Sequence, residues 1–308
     1  MRTLDRNLKP YLEHVKGNTY CVVTGYARIP LYKLNKTDGI LLDSGLPRDW
    51  EGILACLQEN DLQIKAVLTS HVHPDHVGNH LNLRRQFGAK IYMTMYAASV
   101  CASPMNQVAS YAGVITYRRL VKDMVSGFVP DHLIDWNARS ITVEGATFGL
   151  LQLPGHNAEH LGIVTPDNVA YLGDTILSEH VVKSLRAPFC VCVELDLASK
   201  ESLAETNYDY YIMAHNGVCT DIRELAYLNR DMLLEKADLL ESLADSYLTL
   251  DALTAKMMKA TGSNAESLRR VVGFRRNVTP FVDYLLDMGR LTCRVNEGTI
   301  EYIRSDLQ

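Results

Sequence analysis

Short apolar runs alternate with amphipathic stretches over the first two-thirds of the chain. The segment "DGILLDSG", residues 38–45, predicts a strand that ends in a turn, and residues 49–63 have the period of a helix with Asp49 at its N-cap. The following apolar run, "IKAVLTS", predicts a fully buried strand. Strands that alternate with helices in this way are typical of an α/β protein.

Three later segments also have strand character. Residues 140–156, "SITVEGATFGLLQLPGH", and residues 160–174, "HLGIVTPDNVAYLGD", predict hairpin strands, the second turned at "TPDN". The segment "YDYYIMAHNG" predicts an apolar strand that ends in a histidine. Residues 97–131 are interpreted as an insertion between core strands, in which Tyr111 and Tyr117 either shape a lid or belong to an amphipathic core.

The pattern changes to long helical periodicity from about residue 225. Residues 225–245 and 248–262 predict two helices, and a third is expected to begin with Thr279 as cap and Pro280 in its first turn, and to end before Gly289. The short strands "LTCRV" and "TIEYI", joined through "NEG", follow. We therefore expect an α/β domain over residues 1–224 and a mostly helical module, which resembles a winged helix, over residues 225–308.

Composition and charge limit the classes of partner. The 308 residues are 47% apolar and 22% charged, which is enough to bury a large core. The net charge of −5 disfavours general binding to a polyanion or an acidic membrane. The amino terminus has charges throughout, no run approaches the length of a membrane span, and the seven cysteines form no CxxC pair. We predict a cytoplasmic protein with reduced thiols and no membrane partner.

The chemistry is concentrated in residues 68–82, "LTSHVHPDHVGNHLN". This segment holds four of the ten histidines, at a point where the chain leaves a buried strand. Neutral imidazoles are good ligands for zinc and similar ions, and a carboxylate adds an oxygen ligand. The i and i+2 spacing of His71 and His73 lets their rings converge on one ion, while Asp75 and His76 point to a neighbouring one. The sequence thus predicts a metal site.

The pattern His71-Val-His73-Pro-Asp75-His76 resembles the signature of the metallo-β-lactamase superfamily. The resemblance implies three more ligands, each at a strand end, and the chain supplies His156 in "LPGH", Asp174 in "YLGD" and His215 in "MAH". It implies a first metal site and a second one joined by a bridging carboxylate, Asp174. The expected first site is His71, His73 and His156, and the expected second site is Asp75, His76 and His215. Asp43 resembles the carboxylate that orients a metal-binding imidazole.

The same resemblance implies a fold and a reaction. The expected fold is the αββα metallo-β-lactamase sandwich. The expected cofactors are two divalent ions, with zinc preferred and iron or manganese as alternatives, and the expected nucleophile is a metal-bridged hydroxide. Asp75 is predicted to pass a proton to the leaving atom. Ser70 is interpreted as a loop hydroxyl and not as a nucleophile, because it lies in no G-x-S-x-G elbow.

The substrate is predicted to be a small acyl ester, thioester or lactone. The glyoxalase II branch, a thioesterase, is similar in its ligand set and in its helical carboxy-terminal region. Lys183 resembles a basic residue with which that branch holds its substrate, unless it belongs to a solvated turn, and His180 is a second substrate-binding candidate. Gly217 stands where the branch carries a tyrosine, which disfavours glutathione thioesters. A homo-oligomer is compatible with these predictions.

A metal-dependent nuclease or a nucleic-acid-binding protein is the alternative. The run "RRVVGFRR", residues 269–276, is basic with an interleaved aromatic side chain, and winged helices often bind DNA. Acidic residues elsewhere in the module roughly balance these arginines, so nucleic acid is the less favoured partner.

Overall fold

The computed structural model describes residues 8–112, 125–215, 217–264 and 266–308, without the side chains of residues 111 and 112. Within these residues, two large sheets and one small sheet account for the strands. The first sheet contains, in spatial order, β1 (Tyr11–Lys16), β2 (Thr19–Val23), β3 (Arg28–Lys33), β4 (Asp38–Leu42), β5 (Gln63–Leu68), β6 (Lys90–Thr94) and β7 (His132–Ile134). Strands β1 to β4 are antiparallel, and β4 to β7 are parallel.

The second sheet is formed by β8 (Ser140–Val143), β9 (Ala146–Gln152), β10 (Leu161–Val164), β11 (Val169–Tyr171), β12 (Tyr210–Met213) and β13 (Gly217–Cys219). Its strands follow one another in sequence order, and only β11 and β12 are parallel. A third, small sheet has the order β14-β16-β15, from β14 (Leu248–Thr249), β15 (Leu291–Asn296) and β16 (Thr299–Arg304).

The described helices are α1 (Trp50–Glu59), α2 (Pro74–Val77), α3 (His80–Phe87), α4 (Met95–Cys101), α5 (Pro104–Ala112), α6 (Glu179–Ser184), α7 (Val193–Ala204), α8 (Arg223–Leu243), α9 (Leu250–Ala260) and α10 (Leu268–Asp287). No described helix combines the length and the apolar character needed to cross a bilayer.

The period of two in the strands explains the layers. In β4, Ile40 and Leu42 face the second sheet and pack in a core with Phe148, whereas Leu41 faces the other way, into a core with Ile53 of α1. Each such side chain is fully buried and contributes about 1.5–3 kcal/mol. On the far side of the second sheet, helices α7 and α8 pack against β11 and β12. The predicted αββα sandwich is therefore confirmed.

The carboxy-terminal helices share a core with the rest of the chain. Val182 of α6 and Val193 of α7 are buried in the same cluster as Leu233 of α8 and Phe281 of α10. Asn229 of α8 also binds both backbone groups of Leu177, at 2.9 and 2.8 Å. The division at residue 225 remains a proposal, and helix α8 begins close to it, at Arg223.

One prediction about a helix start is confirmed and one is wrong. Asp49 occupies the predicted N-cap position of α1, although its side chain makes no capping hydrogen bond. The last helix does not begin near Thr279; it begins at Leu268, capped by Ser267, and Pro280 lies inside it. The apolar face that buries Val278 and Phe281 continues back to Phe274, so packing of this face outweighs the local signal of a start at Pro280.

The predicted insertion contains α5 and part of α4. Val100 and Cys101 are buried in the core of the first sheet together with Val125 and Phe128. These described parts therefore belong to the core. Tyr117 and the side chain of Tyr111, which were assigned either to a lid or to the core, lie outside the described residues.

Candidate metal centre

The candidate site residues come from loops that follow five different strands. Asp43 follows β4, the "HVHPDH" loop follows β5, and the other three follow strands of the second sheet: His156 after β9, Asp174 after β11 and His215 after β12. Because these loops meet at one edge of the sandwich, residues far apart in sequence can converge. The structure brings all seven predicted ligands together.

One group of donors surrounds the Oδ2 atom of Asp174. The Nε2 atoms of His71 and His156 lie 4.0 and 3.5 Å from this oxygen. Nδ1 of His73 completes the group, 3.0 Å from His71 Nε2 and 3.1 Å from His156 Nε2. These atoms all lie within 4.8 Å of one another, which is close enough for them to bind one ion.

A second group surrounds the other oxygen of the same carboxylate. The Nε2 atoms of His76 and His215 lie 3.4 and 3.3 Å from Asp174 Oδ1. Asp75 Oδ2 lies 3.2 Å from His215 Nε2 and 3.8 Å from His76 Nε2. The two groups therefore meet at Asp174, with one carboxylate oxygen directed to each.

Two atoms in the second group are buried without a hydrogen bond. Among the described residues, His76 Nε2 and Asp174 Oδ1 have no hydrogen-bond partner, although polar atoms in such surroundings normally have one. An ion between them would supply the missing interaction. The donor set of imidazole nitrogens and carboxylate oxygens is the one that zinc and related divalent ions prefer, so the residues present fit such an ion.

The two groups differ in electrostatics. Burial lowers the pKa of His73 to about 4 and that of His156 to about 3, so both rings are neutral, with a nitrogen lone pair available, at neutral pH. Burial also disfavours the charged form of His76, but the carboxylates of Asp174 and Asp75 outweigh it and raise its pKa to about 10. The second group contains one carboxylate more than the first, Asp75, and therefore attracts a cation, either a proton or a metal ion, more strongly.

Asp43 orients the ring of His76 through the ring nitrogen that faces away from Asp174. Its Oδ2 atom accepts a hydrogen bond from His76 Nδ1 at 2.7 Å, which directs Nε2 of that ring toward Asp174. Oδ2 also accepts from the hydroxyl of Ser70 at 2.5 Å, and Oδ1 accepts from the Ser70 amide at 2.7 Å. Asp43 has a left-handed backbone, with φ of 65°, which a short polar residue tolerates best.

Ser70 lies in the loop after β5, as predicted, but its hydroxyl has contacts that the sequence did not predict. Ser70 is fully buried, and its Oγ lies 3.0 Å from His71 Nδ1 as well as donating to Asp43. Ser70 thus links the carboxylate behind His76 to the ring of His71.

Two further histidines are buried behind the cluster. His80 is held between Ser44 Oγ at 2.7 Å and Thr69 Oγ1 at 2.8 Å. His160 stacks on His71 with ring centroids 4.6 Å apart, and its Nε2 accepts a hydrogen bond from the Asp174 amide at 3.2 Å. Both histidines pack behind the candidate ligands and hold neighbouring segments in position. Neither was predicted as a ligand.

Two glycines beside candidate ligands permit close packing. Gly155, with φ of 131°, lies so near helix α7 that an added Cβ would come within 2.2 Å of the Asp196 Cα. Gly173, with φ of 50°, would place a Cβ 2.6 Å from His160 Nε2. Only glycine fits either position, and each one precedes a cluster residue, His156 or Asp174.

Three residues that border or support the cluster were not predicted from the sequence. The Tyr171 hydroxyl donates to Asp43 Oδ2 at 2.7 Å. The Phe189 ring lies 5.1 Å from that of His73, and the Tyr26 ring lies 4.8 Å from that of His215. The position of Tyr171 just upstream of "LGD" was an available signal, whereas nothing local distinguishes Phe189 or Tyr26.

The two predicted substrate residues are on the surface of α6. Lys183 pairs with Glu179 at 2.5 Å, and both side chains are mostly exposed. His180 is exposed on the same short helix. In the described part of the chain the contacts of Lys183 lead to Glu179 and not to the cluster, so substrate binding by Lys183 and His180 remains a prediction.

Comparison with known families gives a match over most of this region. A model of the metallo-beta-lactamase superfamily matches residues 31–215, which include all seven candidate ligands. A hydroxyacylglutathione hydrolase from Haemophilus influenzae is 25% identical over 173 residues, which are 56% of this chain and 77% of that protein. A beta-lactamase-like protein 2 homolog from Caenorhabditis elegans is 26% identical over 183 residues. The match spans 58% of this chain and only half the length of the nematode protein.

Solved structures extend the similarity of the fold to the carboxy-terminal helices. A metallo-beta-lactamase family protein from Thermus thermophilus superimposes with a TM-score of 0.69 and 18% identity, over 96% of this chain and 97% of that one. A class B3 di-zinc metallo-beta-lactamase from an Alaskan soil metagenome superimposes with a TM-score of 0.57 and 16% identity, over 76% of this chain and 94% of that one. At such identities the likeness concerns the fold alone.

Proposed function

This chain belongs to the metallo-beta-lactamase superfamily, and from that we propose that it is a hydrolase that binds two divalent metal ions and cleaves a small acyl ester, thioester or lactone. Zinc is the favoured ion, with iron or manganese as alternatives, because the donors are imidazoles and carboxylates. The proposed ligands are the seven residues of the two groups around Asp174.

The observation that carries the proposal is the position of Asp174 between the two groups. Each of its oxygens faces a separate set of donors, Oδ2 toward His71 and His156, and Oδ1 toward His76 and His215. In this position Asp174 would help to hold an ion in each group, and its negative charge would offset the repulsion between the two ions. Two divalent ions held there would lower the pKa of a water molecule and polarise an acyl carbonyl.

The side chains of the chain itself supply orientation and proton transfer. The hydrogen bond from His76 to Asp43 orients the ring of His76. Ser70, which donates to Asp43 and lies next to His71 Nδ1, orients the ring of His71. Burial disfavours the charged form of Asp75, but His76 and His215 outweigh it and lower its pKa to about 2. Asp75 is therefore ionised and able to bind a cation, and we propose in addition that it passes a proton to the leaving atom.

A thioester is the substrate class with most support. The similarity to a hydroxyacylglutathione hydrolase covers 56% of this chain. Gly217 stands in place of a tyrosine of that branch, which supports a leaving thiol other than glutathione. Lys183 and His180 are kept as candidates for binding the polar end of the leaving thiol. Alanine variants of these residues that change KM but not kcat would support this role.

The proposal also includes the type of the carboxy-terminal module, the location in the cell and the oligomeric state. The order α8, β14, α9, α10, β15, β16, with β14 paired to β16, supports a winged-helix interpretation of residues 225–308. All seven cysteines lie in the described residues as free thiols, which supports a cytoplasmic location. A homo-oligomer stays a prediction that sedimentation equilibrium would test.

The experiment is a hydrolysis panel with metal-loaded protein. Acyl thioesters, lactones, β-lactams and phosphodiesters are compared, with Asp174→Ala as the inactive control. We expect turnover of a thioester, ester or lactone that is lost in the variant and after chelation. Turnover of none of these acyl compounds, by protein that carries metal, contradicts the proposal.

Nucleic-acid hydrolysis is the second candidate, because arginines of α10 are exposed on one side of the carboxy-terminal helices. Arg269 and Arg270 are both exposed in the first turn of α10. Cleavage of phosphodiesters in the same panel, with binding of an oligonucleotide that weakens steeply as salt rises, would favour this function instead.

A further inference from the structure

A large basic cavity lies between the carboxy-terminal helices and the loop that follows α6. It has a volume of about 730 Å³ and is lined by four arginines, Arg186, Arg269, Arg270 and Arg276. Its other described lining residues are small, apolar or neutral polar side chains, without a carboxylate among them. Four guanidinium groups around one concave space form a site for a multiply charged anion.

The walls of this cavity hold two of the arginines in place. Arg276 donates from Nε and from a terminal nitrogen to Asn277 Oδ1, at 3.1 and 3.0 Å, and its guanidinium lies 4.4 Å from the centre of the Phe189 ring. Arg186 donates to the carbonyl of Thr261. Because part of each side chain is already ordered, less entropy is lost when an anion binds.

Two glycines line the cavity. An added Cβ at Gly262 would come within 2.9 Å of the Arg186 guanidinium. Gly273 lies inside helix α10, where glycine costs about 1 kcal/mol relative to alanine, and an added Cβ there would meet no atom within 4 Å. Packing therefore does not require a glycine at position 273, and a larger side chain there would occupy part of the cavity.

The cavity is adjacent to the candidate metal centre. Phe189 separates them: its ring contacts Arg276 on one side and the rings of His73 and His156 on the other, at 5.1 and 5.5 Å. A ligand that extends past this one aromatic ring can reach both places at once. The cavity is thus positioned to hold one end of a molecule whose other end lies at the histidines.

We propose that the arginine cavity binds the phosphate groups of a phosphorylated thiol, whose thioester is the substrate of the metal centre. The volume lies within the range of about 300–1,000 Å³ that is usual for small-molecule sites, and all four arginines border this one space, which favours a small, multiply charged molecule as the ligand. This inference rests on the proposed hydrolase function for the reaction, but anion binding can be measured without turnover.

The binding test uses coenzyme A, a thiol with three phosphates, and inorganic phosphate as probes of the full metal-loaded chain. Isothermal titration calorimetry should show coenzyme A binding that weakens about tenfold or more in Arg269→Ala/Arg270→Ala, since hydrogen bonds to charged groups are lost. Arg275→Ala is the matched control, because Arg275 lies on the same helix, pairs with Asp251 at 2.6 Å and is not among the cavity residues.

Three binding results would overturn the proposal: equal affinity in wild type and double variant, equal loss in the Arg275 control, or displacement of coenzyme A by an oligonucleotide of much higher affinity. Gly273→Leu, which places a bulky side chain in the cavity without removing a charge, provides a second variant should the double variant fail to fold. It too should weaken coenzyme A binding.

The kinetic test compares acetyl-coenzyme A with S-acetylpantetheine, which have the same thioester, whereas the second compound lacks the three phosphates and the adenosine. We expect a lower KM for acetyl-coenzyme A, and a double variant that raises this KM while leaving hydrolysis of S-acetylpantetheine unchanged. Equal KM values for the two compounds, with inorganic phosphate still bound, would assign the cavity to free phosphate and refute the substrate role. If neither compound is hydrolysed, the thioesterase function fails, and the calorimetry still decides whether the cavity binds phosphates.

Discussion

The hydroxyl of Tyr171 donates a hydrogen bond to the Oδ2 atom of Asp43 at 2.7 Å. Tyr171 ends a strand of the second sheet, and Asp43 follows a strand of the first, so this bond joins the two layers directly beneath the histidine cluster. Both residues are 1% exposed, which makes the interaction one of a charged group in a buried environment.

Tyr171→Phe should weaken both the fold and the metal centre. Loss of a buried hydrogen bond to a carboxylate should lower the free energy of unfolding by about 1.5–3 kcal/mol. Because Asp43 orients His76, metal affinity should fall by about 10–100-fold. Denaturant unfolding and competition with a chelator measure the two effects. Tyr210→Phe, on the neighbouring strand, is the control, and an equal effect of both substitutions would contradict a specific role of Tyr171.

Ser70→Ala should reduce metal binding and leave the chemical step intact when metal is in excess. The serine hydroxyl donates to Asp43 and lies next to His71 Nδ1, so its removal loosens two rings. The control is Ser178→Ala, because Ser178 is equally buried and its hydroxyl has no hydrogen-bond partner among the described residues. Metal titration should show weaker binding in Ser70→Ala than in Ser178→Ala. If excess metal fails to restore the activity of Ser70→Ala, this role of the serine is refuted.

Single substitutions of ligands should show that the two ions bind to separate groups of residues. His156→Ala removes a donor of the first group only, and His215→Ala removes one of the second only, so each should lower the bound metal from about two to about one ion per chain. Asp174→Ala should reduce both, since each oxygen faces one group. Elemental analysis after purification without chelators gives the count. A full complement of metal in Asp174→Ala would show that Asp174 is not shared.

Metal removal should also destabilise the protein. The orphaned atoms His76 Nε2 and Asp174 Oδ1, and the excess of carboxylate charge around them, are offset by a bound cation. The melting temperature should therefore fall on chelation and return when zinc is added. The melting temperature of His215→Ala should respond less to chelation than that of the wild type.

Gly155→Ala should cost far more stability than a substitution at another left-handed glycine. Its Cβ would overlap helix α7 at Asp196, and the positive φ adds strain, so the expected loss is on the order of 2–4 kcal/mol. Gly88 has φ of 69° but no atom within 4 Å of an added Cβ, so Gly88→Ala should cost only about 1 kcal/mol. Similar losses in the two variants would show that packing against α7 is unimportant.

Local sequence patterns were enough to predict the strands that carry the site. The apolar run "GILL" before a turn and the apolar run before His71 predicted β4 and β5, because a short buried strand is visible locally as an apolar run. The candidate ligands could also be recognised from the sequence alone. The histidines of one motif lie close together, and His156, Asp174 and His215 each follow a predicted strand.

The surroundings of those residues follow from the packing of the two sheets and could not be predicted locally. Ser70 and Tyr171 carry no motif, and their roles depend on how the two sheets face each other across Asp43. The start of α10 likewise followed the packing of its apolar face and not the local signal at Pro280. Contacts between residues far apart in sequence arise from the arrangement of whole layers, so a local pattern cannot specify them. The arginine cavity is of this kind, because it forms where α10 meets the loop at Arg186.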